Sequence, residues 1–475
     1  MTMNQTPLKN LIGASWVDGA GAAIDVVDPC TGETCASIRE AGQELVDQAV
    51  ASARQAFGAW RQTTEFERRA LLRQLAGLVR RDLEPLAQDI TREMGKPIGE
   101  SRGEVSKLAD AFEYYAEEAV RVYGRTIPNE ARNVTSIVRY EPIGVVAAIS
   151  PWNYPLELIG WKLAASLAAG CTMVLKPSEY TPSSAVRLFG LLAEAGLPSG
   201  VANLVLGAGT TGGQLTSHPG IDKVAFTGSG RTGAAITRGL AHALPVSMEL
   251  GGSCPQIVTA TANIDDAVAG CLRRGFRNAG QICIAINRVY VARAVHAEFV
   301  EKLAAAVGGL SVGPGTEDPD VGPVTNAEIQ DRFLDHIADA RDNGGTVVVG
   351  GTAIDRPGTW VQPAVVDNVN DQCLIATEET FGPVVGVTAF DDNDEAVELA
   401  NGTPAGLAAY LYATDVSEIF EMGHRLDFGN VAVNNPDAGI MNAPYGGRKG
   451  SGHGYEHGPE GLHAYLNIKH MRIRF

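Results

Sequence analysis

The sequence lacks a CxxC motif and a long apolar run, and each absence excludes a class of protein. Its seven cysteines form no CxxC pair, which disfavours both a disulfide framework and a structural zinc site. The longest nearly apolar stretch, residues 163–175, lies between two lysines and is too short to cross a bilayer. Because the N-terminal residues MTMNQTPLKNLIG also lack the apolar core of a signal peptide, we expect a cytoplasmic protein.

Basic residues are scarce relative to acidic ones. The chain carries 38 lysines and arginines against 55 aspartates and glutamates, which gives a net charge of −17. Such a charge repels phosphate backbones and anionic membranes, so we expect neither a nucleic-acid nor a membrane partner. Glycine, by contrast, is abundant: 55 glycines in 475 residues indicate many tight turns, in a chain long enough for roughly two to four domains.

Apolar periodicity divides the chain into a helical part and two alternating parts. Residues 40–125 carry apolar residues at helical spacing, and residues 136–142 alternate as a strand does. From residue 143 onward, short apolar strands alternate with helices in two series, with a boundary near 247–250. This alternation predicts an α/β fold with doubly wound parallel sheets. The tail after residue 465 also alternates, so we expect it to pair with 136–142 and to expose an edge that invites a partner subunit.

Two stretches match the GxGxxG pattern, residues 207–212 and 228–233, and each follows a predicted strand. Either turn could place backbone N–H groups and a helix N-terminus against a pyrophosphate. An ordinary tight turn explains each match equally well in so glycine-rich a chain. Neither is followed about 20 positions later by an acidic residue that ends a strand, as a standard dinucleotide site requires.

Three polar residues form a candidate catalytic set. Cys283 follows Gly280-Gln281 and precedes a strand, Glu249 precedes a glycine pair, and Asn153 stands where a strand ends. A thiol, a carboxylate and an amide supply the nucleophile, base and oxyanion stabiliser for covalent oxidation of a carbonyl. Taken singly, each has an ordinary alternative: a buried apolar cysteine, a surface carboxylate and a turn residue.

With these residues in place, the chain resembles the NAD(P)-dependent aldehyde dehydrogenase superfamily over nearly its whole length. Within it, the sequence looks closest to succinate-semialdehyde dehydrogenases. The resemblance implies a Rossmann-like cofactor domain, an α/β catalytic domain and a small β bridging extension, in a homodimer or homotetramer. The matching stretches are SPWNYP (150–155), KPSE (176–179), FTGSGRTG (226–233), MELGG (248–252), FRNAGQIC (276–283), EETFGPV (378–384) and APYGGRKGSG (443–452). The implied domains are 1–120 with 140–248 for the cofactor, 249–445 for catalysis, and 121–139 with 462–475 for the extension.

The resemblance assigns catalytic roles. Cys283 attacks the aldehyde, and the amide of Asn153 with the backbone N–H of Cys283 holds the oxyanion of the thiohemiacetal. After hydride transfer, Glu249 activates the water that hydrolyses the thioester. Glu456 matches a position associated with proton relay, although a loop carboxylate is an equally good interpretation. Because a free cysteine is mostly protonated at neutral pH, we expect a locally lowered pKa for the Cys283 thiol.

The resemblance also implies where the cofactor binds. Turn 228–233, together with Trp152, contacts the pyrophosphate, whereas turn 207–212 becomes a loop near the adenine. Glu179 matches a residue that accepts hydrogen bonds from the adenine ribose, and it would repel a 2′-phosphate, so we favour NAD over NADP. Glu379 matches the carboxylate on the nicotinamide ribose, with Phe381 beside the nicotinamide. The full set is Ile149, Ser150, Trp152, Lys176, Ser178, Glu179, Gly209, Phe226, Thr227, Gly228, Ser229, Thr232, Leu250, Gly251, Glu379 and Phe381.

The substrate residues implied by the resemblance are Arg277, Trp161, Tyr154 and Ile282. Arg277 matches an arginine that binds the substrate carboxylate in succinate-semialdehyde enzymes, although a surface salt bridge would explain it too. Trp161 replaces their second arginine, as in general and betaine-aldehyde dehydrogenases. The Tyr154–Trp161 pair could face a cation, but Arg277 would repel one. We therefore expect a small anionic or polar aldehyde such as succinate semialdehyde, with betaine, amino or general aldehydes as alternatives.

Four further expectations follow. Ala285 stands where some succinate-semialdehyde enzymes have a second cysteine, so we expect no disulfide switch there. His453 and His457 lie in a glycine-rich loop, which makes a metal site improbable. A CoA-acylating dehydrogenase usually lacks the glutamate at position 249, so its presence disfavours that class. A catalytically silent homologue is disfavoured because Cys283, Asn153 and Glu249 are all present.

Overall fold

The computed structural model describes residues 7–475. Residues 1–6, the start of the first predicted domain, lie outside the described residues. Within the described part of the chain, no helix is both long and apolar enough to cross a membrane.

The first quarter of the chain begins with four short strands and continues with four long helices. The helices confirm the helical prediction for this part. The strands are absent from that prediction because segments this short show too few alternations to be recognised. The elements are β1 (Asn10–Ile12), β2 (Ser15–Val17), β3 (Ala23–Val27), β4 (Thr34–Arg39), α1 (Gly42–Trp60), α2 (Glu65–Arg81), α3 (Leu83–Met94) and α4 (Ile98–Ala119).

The middle of the chain alternates between strands and helices as predicted. The inner strands are buried on both faces, which explains their nearly continuous apolar sequences. The elements are β5 (Arg125–Ile127), β6 (Val134–Pro142), β7 (Val145–Ile149), α5 (Glu157–Ala169), β8 (Thr172–Lys176), α6 (Ser183–Glu194), β9 (Ala202–Leu204), α7 (Gly209–Thr216), β10 (Lys223–Thr227), α8 (Gly230–Gly239) and β11 (Val246–Glu249).

The remainder forms a second alternating series with irregular loops near its end. Helices α11 and α14 were not anticipated from the sequence. The elements are β12 (Cys254–Val258), α9 (Ile264–Phe276), β13 (Ile286–Ala292), α10 (Arg293–Gly308), α11 (Ala327–Asp342), β14 (Thr346–Val349), β15 (Ala364–Asp367), α12 (Leu374–Thr377), β16 (Val384–Phe390), α13 (Asn393–Asn401), β17 (Ala405–Gly406), β18 (Ala408–Tyr412), α14 (Val416–Arg425), β19 (Asn430–Val433), β20 (Arg448–Lys449), β21 (Gly452–His453), α15 (Gly458–His463) and β22 (Leu466–Arg474), with 3-10 turns at Arg277–Gly280 and Gly315–Glu317.

Two large sheets form the body of the molecule. The first has the order β2-β1-β9-β8-β7-β10-β11-β21, and the second has the order β14-β15-β16-β13-β12-β18-β19. The α/β class is confirmed, and the inner strands of both sheets are parallel as predicted. The sheets are not parallel throughout, because β1, β14 and β21 join them in the antiparallel direction.

Glu249 belongs to the first sheet rather than to the start of the second unit. Its backbone pairs with Thr227, so it ends β11, and the second sheet begins only at Cys254. The chain returns to the first sheet near its end, where Gly452 pairs with Glu249. Residues from the middle and from near the end of the sequence therefore flank the carboxyl end of β11.

The C-terminal strand pairs with residues 134–142, as the alternating tail predicted. β22 and β6 run antiparallel from the pair Leu466–Pro142 to the pair Arg474–Val134, and β5 completes a third, separate sheet. The outer strand is largely exposed, with Ile468 66% accessible.

Candidate active site

Cys283 lies in a compressed loop between α9 and β13. Asn278 and Ala279 adopt left-handed backbone conformations, which non-glycine residues rarely do. Gly280 follows with a φ of +72°, and a Cβ at this position would collide with the carbonyl of Gly382. The tight turn brings Cys283 to a half-buried position on the floor of a cavity.

Asn153 is tied to the same loop. Its side-chain amide donates a hydrogen bond to the carbonyl of Gln281 over 2.9 Å. Its own carbonyl accepts bonds from the side chains of Lys96 at 2.8 Å and Asn278 at 3.0 Å. Lys96 in turn forms a fully buried ion pair with Glu104, whose other oxygen accepts the backbone N–H of Leu156. This network fixes the amide of Asn153 beside the cysteine loop.

Glu249 extends from the end of β11 into the same cavity. Both of its carboxylate oxygens are buried without a hydrogen-bond partner. Burial raises the pKa of the Glu249 carboxyl well above its ordinary value, the nearby carboxylate of Glu456 raises it further, and Lys162 opposes both effects. Burial therefore favours the neutral form of this carboxyl.

Glu456 is buried in an ion pair. Lys162 donates to Glu456 Oε1 over 2.7 Å and to the hydroxyl of Thr227 over 2.5 Å. The second carboxylate oxygen of Glu456 is buried without a partner. The position is thus unlike that of a solvent-exposed loop carboxylate, and it lies close enough to influence Glu249.

The expected lowering of the Cys283 pKa is wrong for this structure. Burial raises the pKa of the thiol to about 12, and Glu379 and Glu249 add to the effect. The hydroxyl of Tyr445, 3.5 Å from the sulfur, lowers it. The expectation rested on the requirement that a nucleophilic cysteine be ionised. It left out the desolvation of the Cys283 thiol and the effect of the two nearby carboxylates.

A crevice on one side of Cys283 contains half of the predicted cofactor residues. Its walls include the ends of β10 and β11 and the N-terminus of α8, where Ser229 caps the helix by accepting the N–H of Thr232 at 3.3 Å. The indole of Trp152 meets the ring of Phe381 edge to face, with centroids 5.4 Å apart. The predicted residues that line the crevice are Trp152, Thr227, Gly228, Ser229, Leu250, Gly251, Glu379 and Phe381.

Glycines keep this crevice open. A Cβ on Gly228 would press against the ring of Phe226, and one on Gly251 would collide with the carboxylate of Glu379. Glu379 accepts the N–H of Gly252 at 3.3 Å, and burial raises the pKa of its carboxyl to about 7. A cradle of this kind, with backbone N–H groups at a helix N-terminus, fits the pyrophosphate of a dinucleotide.

The other predicted cofactor residues do not line this crevice, although most occupy the same edge of the first sheet. Ile149 pairs with both Lys176 and Phe226, so three neighbouring strands end side by side. Lys176 donates to the carbonyl of Gly207 at 2.7 Å and lies 3.5 Å from Glu179. The residues outside the crevice are Ile149, Ser150, Lys176, Ser178, Glu179, Gly209, Phe226 and Thr232, of which Gly209 and Thr232 are exposed.

A second cavity, the tunnel, also borders Cys283. It contains all four predicted substrate residues, Tyr154, Trp161, Arg277 and Ile282. Five residues line both cavities and form the junction: Asn153, Leu158, Trp161, Cys283 and Tyr445.

The cations of this tunnel all have acidic partners. Arg277 Nε lies 3.3 Å from Glu100, and Lys107 lies 3.1 Å from Glu157. Arg274 pairs with Asp437. Arg277 forms a salt bridge, as one interpretation of the sequence predicts. This half-buried arginine also lines the tunnel, as a residue that binds the substrate carboxylate would have to.

Aromatic rings form the inner wall of the tunnel. Trp161 packs against Tyr445 and His457, with ring centroids 5.4 and 4.1 Å away. The ring of Tyr154 already has an ammonium group on its face, since Lys96 Nζ lies 3.7 Å from its centroid. That arrangement weakens the case for a cage that binds a cationic substrate.

Sequence reasoning missed several residues of the two cavities. Tyr445 and Arg231 lie inside motifs that were recognised, so their proximity to the site was a usable signal. His457 was considered only as a metal ligand with His453, but its ring is buried in the tunnel wall while His453 is exposed. Within the described residues, no group of three or more potential ligands could hold a metal ion. Lys107, Arg274 and Arg332 come from helices whose sequences carry no such signal.

Comparison with known proteins identifies relatives over the full length. The model of the aldehyde dehydrogenase family matches residues 16–471. The succinate-semialdehyde dehydrogenase [NADP(+)] of Escherichia coli (strain K12) is 42% identical, with 100% of both chains covered. The 3-sulfolactaldehyde dehydrogenase of Pseudomonas putida is 41% identical, over 97% of this chain and 96% of that protein.

Solved structures have the same fold. An NADP-dependent enzyme of E. coli matches with a TM-score of 0.97 and 41% identity, covering 99% of this chain and 98% of that one. The betaine aldehyde dehydrogenase of Staphylococcus aureus, in complex with NAD+, matches with a TM-score of 0.95 and 35% identity, covering 98% and 97% of the two chains.

Proposed function

The chain belongs to the aldehyde dehydrogenase family and is a non-acylating, NAD(P)-dependent enzyme that oxidises small polar aldehydes, and from that premise we propose that its substrate is a small anionic aldehyde. The observation that carries the proposal is the position of Cys283 at the junction of a crevice that contains half of the predicted cofactor residues and a tunnel that contains Arg277. Succinate semialdehyde is the first candidate, because two relatives named above act on aldehydes that carry a carboxylate or a sulfonate.

The proposed chemistry begins at Cys283. Its ionised sulfur attacks the aldehyde carbon, and the carbonyl oxygen becomes an oxyanion beside the amide of Asn153. The bond between that amide and the carbonyl of Gln281 supports the role, since it fixes one N–H and leaves the second available. The crevice residues would hold NAD(P), which would supply the acceptor for the hydride.

Glu249 then serves as the base. Hydrolysis of the thioester requires a water that loses a proton as it attacks, and Glu249, at the end of β11, lines the same crevice as Cys283. Because burial favours the neutral form of this carboxyl, a base at this position needs a route by which its proton can leave. We propose that the proton passes through Glu456, whose partner Lys162 also bonds Thr227 on the neighbouring strand.

The finer choice of cofactor is also a proposal. Glu179 is half-buried, follows β8 and lies 3.5 Å from Lys176, at the edge where the adenine ribose would bind. Its carboxylate would accept hydrogen bonds from a 2′-hydroxyl and repel a 2′-phosphate, which supports a preference for NAD. One relative is named for NADP(+) and one solved structure contains NAD+, so the family accommodates both cofactors.

The fold supports separate domains for cofactor binding and catalysis, and it supports an oligomer. We propose that residues 1–120 and 140–248, extended by Glu249, form the cofactor domain, that the rest of 249–445 forms the catalytic domain, and that 121–139 with 462–475 bridge between subunits. The exposed outer strand β22 supports a homodimer or homotetramer, because an unpaired edge favours association.

The test is a substrate panel followed by NADH or NADPH absorbance. Succinate semialdehyde, glutarate semialdehyde, a sulfonated aldehyde, lactaldehyde and betaine aldehyde are compared with and without CoA. We expect the highest kcat/KM with an anionic aldehyde and no requirement for CoA. The Cys283→Ala variant, matched by Cys373→Ala at a buried cysteine of the second sheet core, should lose all turnover while the control retains it. A higher kcat/KM for betaine aldehyde would overturn the assignment.

A further inference from the structure

Cys283 has a hydroxyl neighbour that the proposed chemistry leaves unused. The phenol oxygen of Tyr445 lies 3.5 Å from Cys283 Sγ, within hydrogen-bonding distance for sulfur. Among the described residues this is the only side-chain hydrogen bond of that sulfur, and the Tyr445 hydroxyl has no other partner. The contact lies at the junction that both cavities share.

The ring of Tyr445 is held firmly in place. Its backbone N–H donates to the carbonyl of Glu456 at 2.7 Å, and its carbonyl accepts the N–H of Glu456 at 2.8 Å. The ring is 3% exposed and packs against Trp161 and His457. The hydroxyl is therefore aimed at the sulfur by the same loop that carries Glu456.

The direction of the hydrogen bond depends on the state of the sulfur. A thiol could donate to the phenol oxygen, whereas a thiolate has no proton and can only accept. Burial keeps the pKa of the Tyr445 phenol well above its ordinary value, which favours the protonated hydroxyl that can act as a donor. The other charged groups facing the sulfur are the carboxylates Glu249 and Glu379, which oppose ionisation, and Arg274, which favours it.

We propose that Tyr445 is a catalytic residue whose hydroxyl donates a hydrogen bond to the ionised sulfur of Cys283 and stabilises the nucleophile, a role that rests on the proposed function of Cys283. Once the sulfur has bonded to the substrate carbon it is a poorer acceptor, so the hydroxyl acts before the attack and not during hydrolysis. Tyr445 should therefore influence the formation of the thiohemiacetal and leave the later steps to Glu249.

The proposal predicts slower alkylation of Cys283 in Tyr445→Phe. Losing a hydrogen bond to a charged group should raise the pKa of the Cys283 thiol by about one unit. Far below that pKa the thiolate fraction falls about tenfold, but a more basic thiolate is roughly threefold more nucleophilic, so alkylation slows only about threefold.

The experiment measures alkylation of Cys283 by iodoacetamide against pH, in the full-length protein without cofactor. The reaction is followed on the peptide that contains Cys283 by mass spectrometry, because Cys30 and Cys35 are also partly exposed. The matched control is Tyr410→Phe, which removes a buried hydroxyl that bonds the carbonyl of Ile284, the residue after the nucleophile. Thermal melts of both variants establish that each is folded.

We expect Tyr445→Phe to be alkylated about threefold more slowly than the wild type at each pH at which both proteins stay folded, and Tyr410→Phe to react at the wild-type rate. An unchanged or higher rate in Tyr445→Phe would overturn the proposal and show that the thiol is the donor. Equal slowing in both variants would also overturn it, since loop disturbance would then explain the slowing. The alkylation rate is measured without turnover. A wild-type protein that oxidises no aldehyde would therefore overturn the proposed function but would leave the alkylation result unchanged.

Discussion

The cofactor crevice and the substrate tunnel meet at Cys283 but are lined by different kinds of groups. The crevice is formed by strand ends, glycines and a helix N-terminus, so its chemistry resides largely in the backbone. The tunnel is formed by large rings and by cations that each hold an acidic partner, so its chemistry resides in side chains. A backbone-built wall tolerates few changes of residue, whereas a wall of side chains changes its specificity through single substitutions. Substitutions on each side should accordingly alter different kinetic parameters.

The largest effect should come from the crevice side at Glu249. Glu249→Gln removes the proposed base without changing the size of the side chain, so we expect kcat to fall on the order of 10²–10⁴-fold. Formation of the thioester should survive, since Glu249 acts after hydride transfer. A single-turnover experiment should therefore still show a burst of one NADH per active site. Loss of the burst together with kcat would mean that Glu249 also serves the first step.

The same variant has a pH signature in its stability. An isolated glutamate ionises above about pH 4.5, whereas burial holds the pKa of the Glu249 carboxyl well above that value in the folded protein. Its contribution to the free energy of unfolding is thus fully present below pH 4.5 and is lost as the pH rises toward the folded pKa. Glu249→Gln should then gain stability relative to the wild type between pH 5 and pH 8. Parallel curves of melting temperature against pH would contradict the buried, unpartnered carboxyl.

The crevice was more predictable from the sequence than the tunnel. Strand ends and glycine turns are local features, so the strand that ends at Thr227 and the turn that begins at Gly228 could be recognised without knowing the fold. The position of Glu249 beside them could not, since the sequence assigned it to the second unit and the structure places it in the first sheet. The tunnel joins Lys107, Arg274 and His457, which are far apart in sequence and lie on elements with no distinctive pattern. The thiol pKa was mispredicted for the same reason: desolvation depends on how the loop packs against Glu379, and no local pattern encodes that packing.

On the tunnel side, the test of side-chain specificity is Arg277→Met. The variant removes the charge but keeps an apolar stem of similar length, so we expect KM for an anionic aldehyde to rise about tenfold. KM for a neutral aldehyde such as propionaldehyde, and KM for the cofactor, should stay unchanged. Since the substitution leaves Glu100 without its partner, the double variant with Glu100→Gln is the matched control. Equal KM changes for charged and neutral aldehydes would remove Arg277 from substrate recognition.

A smaller effect is expected from Glu179 at the adenine end of the crevice. Glu179→Ser should raise the ratio of NADP to NAD use by about fivefold, because it removes repulsion of the 2′-phosphate on the order of 1 kcal/mol. Glu179→Gln retains a hydrogen-bond acceptor but not the charge, so it separates repulsion from ribose binding. Aldehyde KM should not change in either variant. A wild-type ratio that already favours NADP would contradict the proposed preference.

The two GxGxxG turns give the smallest and most closely matched comparison. Gly209 and Gly230 are the middle glycines of the two motifs, each begins a helix, and a Cβ on either would meet no atom within 4 Å. Alanine should therefore stabilise both helices alike, by roughly 0.5–1 kcal/mol. Only turn 228–233 borders the crevice, so Gly230→Ala should raise KM for the cofactor, by about threefold, through crowding of the pyrophosphate. Gly209→Ala should leave that KM unchanged, and an equal rise in both variants would mean that turn 207–212 also contacts the dinucleotide.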